Sequence, residues 1–251
     1  MAQFTSTAHL SGAHLDSHLG GSTFTWLGHA TIHIQTAGGT SILIDPWFEG
    51  NPSSPKDYKL PEKIDLLLLT HGHDDHFHDA MKVAKKSKAK VVAIYELTSF
   101  MQSHGVDNIS PMNYGGNLQV GDVRISMVEA RHSSSIVDGD KTIYGGNPCG
   151  FVLAIEDSPT IYLAGDTSLF GDMRLFKELY EPVIAVLPIG DNFTMGPKHA
   201  ALAAQYLDAK TVIPVHYGTF PALTGTPAEL KAHLEGSGIE VVAPSPGESV
   251  Q

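Results

Sequence analysis

The sequence predicts an α/β fold in which two β-sheets lie back to back with helices on the outside. Three observations lead there. From residue 23 onward, strand-like and helical runs alternate at regular spacing. The run Asp65-Leu-Leu-Leu-Leu-Thr70 is too short for a helix and apolar throughout, as expected for a strand covered on both faces. The second half of the chain also echoes the first. Ser41-Ile-Leu-Ile-Asp45 is matched by Thr160-Ile-Tyr-Leu-Ala-Gly-Asp166, each a hairpin strand ending in an aspartate, and 65–70 is matched by Val183-Ile-Ala-Val-Leu-Pro-Ile189. No Pro/Ser-rich linker parts the halves, so residues 23–251 are expected to form a single domain with an internal pseudo-repeat.

In order, strands are expected at 23–28, 30–36 and 40–45, with Gly38-Gly39 turning the second hairpin. A Pro-rich loop leads to the buried strand at 64–70. Helical patterns at 79–88 and 95–104 flank a strand at 91–94. Strands at 123–130, 149–156 and 160–165 follow, then a helix at 171–180 and a strand at 183–189. Pro197 suits the first position of another helix, and a strand at 211–215 closes the series. Residues 1–22 are rich in Ser, Thr, Gly and His without a sustained period and are expected to be a disordered leader. Its histidines, His9, His14 and His18, form no ligand pattern.

The 251 residues are 42% apolar, enough for a full core without disulfides. The single cysteine, Cys149, excludes an intrachain disulfide and a Cys-based zinc knuckle, and is expected to be buried in a strand. Sixteen Lys+Arg against 27 Asp+Glu give a net charge of −11, which repels phosphate backbones and argues against a nucleic-acid partner. The basic run from Lys82 to Lys90 reads as a solvated helix face. No apolar stretch reaches the ~18 residues of a membrane span, and the N-terminal region lacks the pattern of a secretory signal. The expected setting is the cytoplasm. The unusual count is 14 His.

Chemistry concentrates in Thr70-His71-Gly72-His73-Asp74-Asp75-His76, directly after the buried strand. Sites in α/β sheets sit at the carboxyl ends of strands. His71 and His73 are two apart, so an extended turn can aim both imidazoles at one ion, and Asp75 and His76 follow where they can reach a second. Gly72 is expected to supply the backbone freedom for so tight a turn. Further ligands should end other strands, and His132, Asp166 and His216 do, in that order.

Together with Trp26-Leu-Gly-His29-Ala, Ile44-Asp45-Pro46 and Ile189-Gly-Asp-Asn-Phe-Thr-Met-Gly-Pro197, these residues carry a family resemblance. The chain resembles the metallo-β-lactamase superfamily, a four-layer αββα sandwich with a dinuclear hydrolytic site. More narrowly, it is similar to the small metal-dependent hydrolases related to L-ascorbate-6-phosphate lactonase. The resemblance covers about 23–248. It implies that His71, His73 and His132 bind one metal, that Asp75, His76 and His216 bind a second, and that Asp166 bridges them. Imidazole and carboxylate donors suit Zn²⁺ first, with Mn²⁺, Fe²⁺ or Ni²⁺ as alternatives.

The implied mechanism is attack on a small polar ester, lactone or phosphoester by a hydroxide that two divalent ions generate from water at about neutral pH. Asp75 orients or deprotonates that water. Asp45, the repeat counterpart of Asp166, is expected to hydrogen-bond a metal-bound histidine. His29, at a turn near the cleft, is a candidate for a substrate or metal-edge role, and His199, in the first turn after Pro197, for a proton donor. Asp191, Asn192 and Thr194 should border the cleft, since by the repeat their loop stands where 71–75 stands in the first half. Ser133 and Tyr217 complete the candidate substrate contacts. His33 is expected only to pack.

The expected partners are a small-molecule substrate and further copies of the chain, with neither nucleic acid nor membrane. A phosphodiesterase for lipid or nucleotide diesters is the nearest alternative reaction. A diiron redox protein would carry a carboxylate where His73 stands. A catalytically silent binder would be expected to show gaps among the seven ligand positions.

Overall fold

Strands buried on both faces build the centre of the molecule. The computed structural model describes residues 19–251. In the first half, strands β1 (Thr23–Trp26), β2 (Ile32–Gln35), β3 (Ser41–Ile44) and β4 (Leu66–Leu68) lead into helices α1 (Asp74–Phe77) and α2 (Ala80–Ser87). Then come β5 (Lys90–Ile94), α3 (Tyr95–Ser103) and β6 (Ile109–Met112). The second half comprises β7 (Asn117–Val120), β8 (Val123–Glu129), β9 (Ser135–Asp138), β10 (Lys141–Tyr144), β11 (Cys149–Ile155) and β12 (Ile161–Leu163). It continues with α4 (Met173–Tyr180), β13 (Ile184–Pro188), α5 (Pro197–Leu207), β14 (Thr211–Val215) and α6 (Pro227–His233). Short strands β15 (Glu240–Val241) and β16 (Ser249–Val250) end the chain.

Two seven-stranded sheets result, ordered β16-β1-β2-β3-β4-β5-β6 and β7-β8-β11-β12-β13-β14-β15. Read in those directions, each makes three antiparallel pairings and then three parallel ones. The pseudo-repeat expected from the sequence is therefore a repeat of topology. Asp45 follows β3 and Asp166 follows β12, the strands at which both ladders change from antiparallel to parallel. On β8, β11 and β13, Val123, Ile125, Met127, Phe151, Leu153, Ile184 and Val186 share one core with the first sheet. The alternate residues Val128, Val152, Ala185 and Leu187 pack in a second core with Phe176 of α4, Ala200 and Ala204 of α5 and Leu230 of α6. Alternation thus sends one face of the second sheet against the first sheet and the other against helices. Among the described residues, no helix is long and apolar enough to cross a membrane.

Several expectations need correction. The structured chain begins earlier than residue 23, for Leu19 is buried and Ser22 Oγ lies 2.9 Å from Ser158 Oγ. His9, His14 and His18 lie outside the described residues. The strand expected at 30–36 starts only at Ile32, because His29 takes a left-handed φ of 54° and the chain turns there. Six strands and two helices were not anticipated: β6, β7, β9, β10, β15, β16, α1 and α6. The two-residue strands leave no periodic signal, and β7 alternates without a fully buried residue. Helix α6 did announce itself through Thr226, Pro227 and Glu229, which form a capping box with proline in the first turn. Cys149 is buried on β11, and burial raises its thiol well above the usual range.

His33, 6% exposed on β2, lies 2.9 Å from both Tyr58 OH and Ser41 Oγ, and burial pushes its pKa down to about 4. The unfolded chain therefore binds a proton that the folded one refuses. This group's contribution to stability is whole above pH ~6.5 and is lost as pH falls from there through about 4. Between pH 7 and 4.5, wild type should lose roughly 2.5 kcal/mol more stability than His33→Gln. Urea denaturation of both proteins at the two pH values measures the difference, and equal losses would refute it.

Candidate metal centre

The ends of β3, β4, β8, β12 and β14 converge on one cluster. Asp45, held at φ 45°, accepts hydrogen bonds from Thr70 N (2.8 Å) and Thr70 Oγ1 (2.6 Å). Its Oδ2 also lies 2.8 Å from His76 Nδ1. With both oxygens engaged, Asp45 is a bracket that ties β3 to the histidine loop and turns His76 Nε2 inward. Thr70 Oγ1 performs the same service for His71, lying 3.0 Å from its Nδ1. Helix α1 opens inside the motif, with His73 at its N-cap, and so brings Asp75 and His76 round behind His71 and His73.

Gly72 is required for a reason other than the one expected. Its φ is not left-handed. A Cβ there would sit 2.9 Å from Ile136 Cγ1 and 3.0 Å from Ser135 O, because β9 is pressed against the loop. Gly165, just before Asp166, does need a left-handed φ of 61°, and a Cβ there would meet Thr70 Cβ at 2.8 Å.

Three groupings of donors result. One is Asp45 with His71 and His76, but the Asp45 carboxylate is already taken up by the bracket; the other two stand apart. The first is His71, His73 and His132, and the second is His29, Asp75, His76 and His216. In each, one ligand atom per residue lies within 4.8 Å of the others. Asp166 stands between them. Its Oδ2 is 3.1 Å from His216 Nε2, 3.5 Å from His132 Nε2 and 4.0 Å from His71 Nε2, and its Oδ1 is 3.3 Å from His76 Nε2. The loops that present His132 and Asp166 are stitched together, since Arg131 N donates to Thr167 Oγ1 and Ser168 N to Arg131 O.

Burial pushes His71 well below its ordinary range, lowers His73 and His132, and takes His29 down to about 4. Burial pulls the same way on His216 and His76, yet the carboxylates win there: Asp166 and Asp75 lift His216 to about 9, and Asp166 and Asp45 hold His76 well above its usual value. Burial would raise Asp75 and Asp166, but the imidazoles around them hold both below the carboxylate range. Among the described residues, His76 Nε2, Asp166 Oδ1 and both His216 ring nitrogens are buried without a hydrogen-bond partner. Buried polar atoms are rarely left so. Imidazole nitrogens and a carboxylate oxygen, converging and unpartnered, fit divalent cations.

The β-lactamase superfamily domain family matches residues 40–217, which include every residue of the cluster except His29. The UPF0173 metal-dependent hydrolase of Koribacter versatilis is 50% identical over 226 residues, 90% of this chain and 97% of the relative. That of Methanopyrus kandleri is 45% identical over 231 residues, 90% and 98% of the two chains. The solved structure of Igni18, a metallo hydrolase of Ignicoccus hospitalis, matches with a TM-score of 0.80 at 35% identity, covering 91% of this chain and 97% of that one. The chain belongs to the β-lactamase superfamily. It is a metal-dependent hydrolase.

The residues expected to touch substrate divide. In the hydrolase, Ser133 is exposed with its Oγ 3.5 Å from His73 Nε2. Tyr217 stacks on Trp26 at 5.1 Å, half-buried, and burial raises its phenol to about 12. Asp191 and Asn192 are exposed at left-handed φ of 65° and 54°, and their loop joins the site through Met195 N, which donates to Thr167 O. Among the described residues, Asp191, Asn192 and Thr194 form no side-chain hydrogen bond to the cluster. His199 is exposed on α5 and likewise makes no hydrogen bond or ring contact with it. The reading of the sequence missed the part played by Thr70, the contact of Thr219 with His29, and a cleft of about 470 Å³ beside His132, lined also by Tyr114, Glu129, Arg131, Asn147 and Pro148. Thr70 stood in the motif; the others come together only through folding.

Removing the bracket should loosen the metal without emptying the site. Asp45→Ala is expected to weaken metal binding by about 10–100-fold, read by competition with a coloured chelator. Unchanged affinity in a folded variant would show that Asp45 has no part in orienting His76.

Proposed function

We propose that the hydrolase cleaves a small polar ester, lactone or phosphoester at a two-metal centre. His71, His73 and His132 would hold one ion, Asp75, His76 and His216 the other, and Asp166 both. The observation that carries this is Asp166, a buried carboxylate with one oxygen toward His76 and the other toward His216 and His132. A carboxylate so placed among imidazoles of two donor sets is the natural bridge. Zn²⁺ suits the donors first, and Mn²⁺, Fe²⁺ or Ni²⁺ are further candidates, since the site offers no thiolate to restrict the choice. Bound there, divalent ions supply Lewis acidity toward the substrate's oxygen and make a water nucleophilic near neutral pH.

The protein's own groups provide the rest. Asp75, 28% exposed and kept ionised by the surrounding imidazoles, can accept a hydrogen bond from the attacking water and so orient it. The nitrogens of His71 and His76 that face away from the cluster are fixed by Thr70 and Asp45, so the facing nitrogens stay aimed without reorganisation. The cleft beside His132 is of a size for a small molecule. Its Arg131 Nε lies 3.0 Å from Glu129 Oε1, which offsets the guanidinium charge and suits a polar group better than a strongly anionic one. His199 is not carried into this reading, because nothing ties it to the cluster. Cytoplasmic residence, self-association and the exclusion of nucleic acid by the −11 charge belong to the same proposal.

Protein purified without chelator should contain about two metal equivalents per chain by elemental mass spectrometry. Asp166→Ala should lose most of that metal, and hydrolysis of a panel of esters, lactones and phosphodiesters should fall by at least ~10³-fold. Zn²⁺ or Mn²⁺ should restore chelator-treated wild type but not the variant. Near-zero metal that neither ion restores would overturn the two-metal reading, and full metal with no turnover on any panel member would favour a binding protein.

A further inference from the structure

His29 clusters with Asp75, His76 and His216 but is given no ligand role in the two-metal proposal and lies outside the span matched by the superfamily domain, yet the fold holds it closely. It is fully buried at φ 54°. Its carbonyl oxygen accepts from both Trp26 Nε1 and His216 N at 2.9 Å, which locks the β1–β2 turn to the turn after β14. The preceding Gly28, at φ 89°, leaves no room for a side chain, since a Cβ would sit 2.5 Å from Ser53 O. The ring is confined by His216 at 3.9 Å and by the edge of Trp47 at 5.1 Å. Both ring nitrogens meet polar partners: Nδ1 is 2.9 Å from Thr219 Oγ1, and Nε2 is 2.9 Å from Asp75 Oδ2.

These two contacts decide where the proton sits. A neutral imidazole carries one N–H. A carboxylate can only accept, whereas a threonine hydroxyl can donate. Thr219 therefore gives its hydrogen to Nδ1, and the imidazole N–H is at Nε2, pointing at Asp75. Asp75 rides on α1, a helix of only four residues, and its Oδ2 is the oxygen that also lies 3.7 Å from His216 Nε2 and 4.0 Å from His76 Nε2. An sp² oxygen has two lone-pair directions. We propose that His29 is a positioning residue for Asp75: its Nε2–H occupies one lone pair of Oδ2 and so directs the other toward His216 and His76, with Thr219 fixing the tautomer. This role rests on the two-metal reading of the site.

The test uses the full-length Zn²⁺-loaded protein. Long-range ¹H–¹⁵N spectra of the imidazoles should show His29 protonated at Nε2, with an unprotonated and metal-free Nδ1. Zn²⁺ titration of His29→Ala should still reach two equivalents, with the weaker one bound about 10–100-fold less tightly than in wild type. His29→Gln, whose amide can donate to the same oxygen, should recover much of that loss, and Thr219→Val should fall between wild type and His29→Ala. Unchanged affinity in His29→Ala would overturn the proposal. So would a metal-bound Nε2 with loss of a whole equivalent, which would make His29 a ligand. Should His29→Ala fail to fold, the wild-type tautomer decides alone. Wild type that binds no second equivalent would bring down the two-metal reading and this role together; wild type that binds two while the variants do not differ sinks this role only.

Discussion

Asp166 lies 3% exposed, within 4.0 Å of the Nε2 atoms of His71, His76, His132 and His216. Taking such a charge out of water costs several kcal/mol, which only opposite charge held close can offset. Protons and divalent cations compete for that duty. Without metal, the carboxylates favour the protonated forms of His76 and His216; as ligands in the proposed centre, the same nitrogens would have to give those protons up. Metal uptake in the proposed centre would therefore release protons and strengthen as pH rises. The rigid surroundings follow from the same need, because donors that could turn away would leave the carboxylate unanswered.

The two halves of the chain share one topology and divide the chemistry unequally. The loop after β4 supplies His71, His73, Asp75 and His76, while its counterpart after β13 supplies none of the clustered donors and meets the site through backbone contacts, Met195 N to Thr167 O and Gly190 against His216 O. The aspartates after β3 and β12 also differ. Asp45 spends its oxygens on Thr70 and His76, whereas Asp166 Oδ1 is buried without a hydrogen-bond partner. Repetition set the positions, and the crowding around each aspartate set its role: a hydroxyl, an amide and one imidazole beside Asp45, four imidazoles beside Asp166.

Much of this could be read from the residues. The buried leucine strand, the paired hairpins and the histidine spacing after β4 place the sheets and the first donors, because alternation and strand ends are local properties of a chain. His132, Asp166 and His216 could be named because each ends a strand. What escaped reading depends on distant segments meeting. The approach of β9 explains Gly72, the contact of Thr219 with His29 joins residues 190 apart, and the cleft beside His132 draws on three loops. For Asp191, Asn192 and Thr194 the repeat gives only the place of a loop after β13 and carries no information on where side chains point; their side chains form no hydrogen bond to the cluster, and His199 sits exposed on α5.

His29, Asp45 and His216 share a backbone feature, a left-handed φ between 45° and 55° on a residue that carries a side chain. Such conformations cost about 1–3 kcal/mol each and persist only where the surroundings impose them. Glycine would relax all three turns, and none of the three is glycine. The corners of the site thus work against the stability of the chain, which the two sheets must cover from their own surplus. Substitutions that stabilise this protein are accordingly to be sought in the sandwich, where cohesion and catalysis do not trade against each other, and any that stabilise it at these turns would do so by giving up the site.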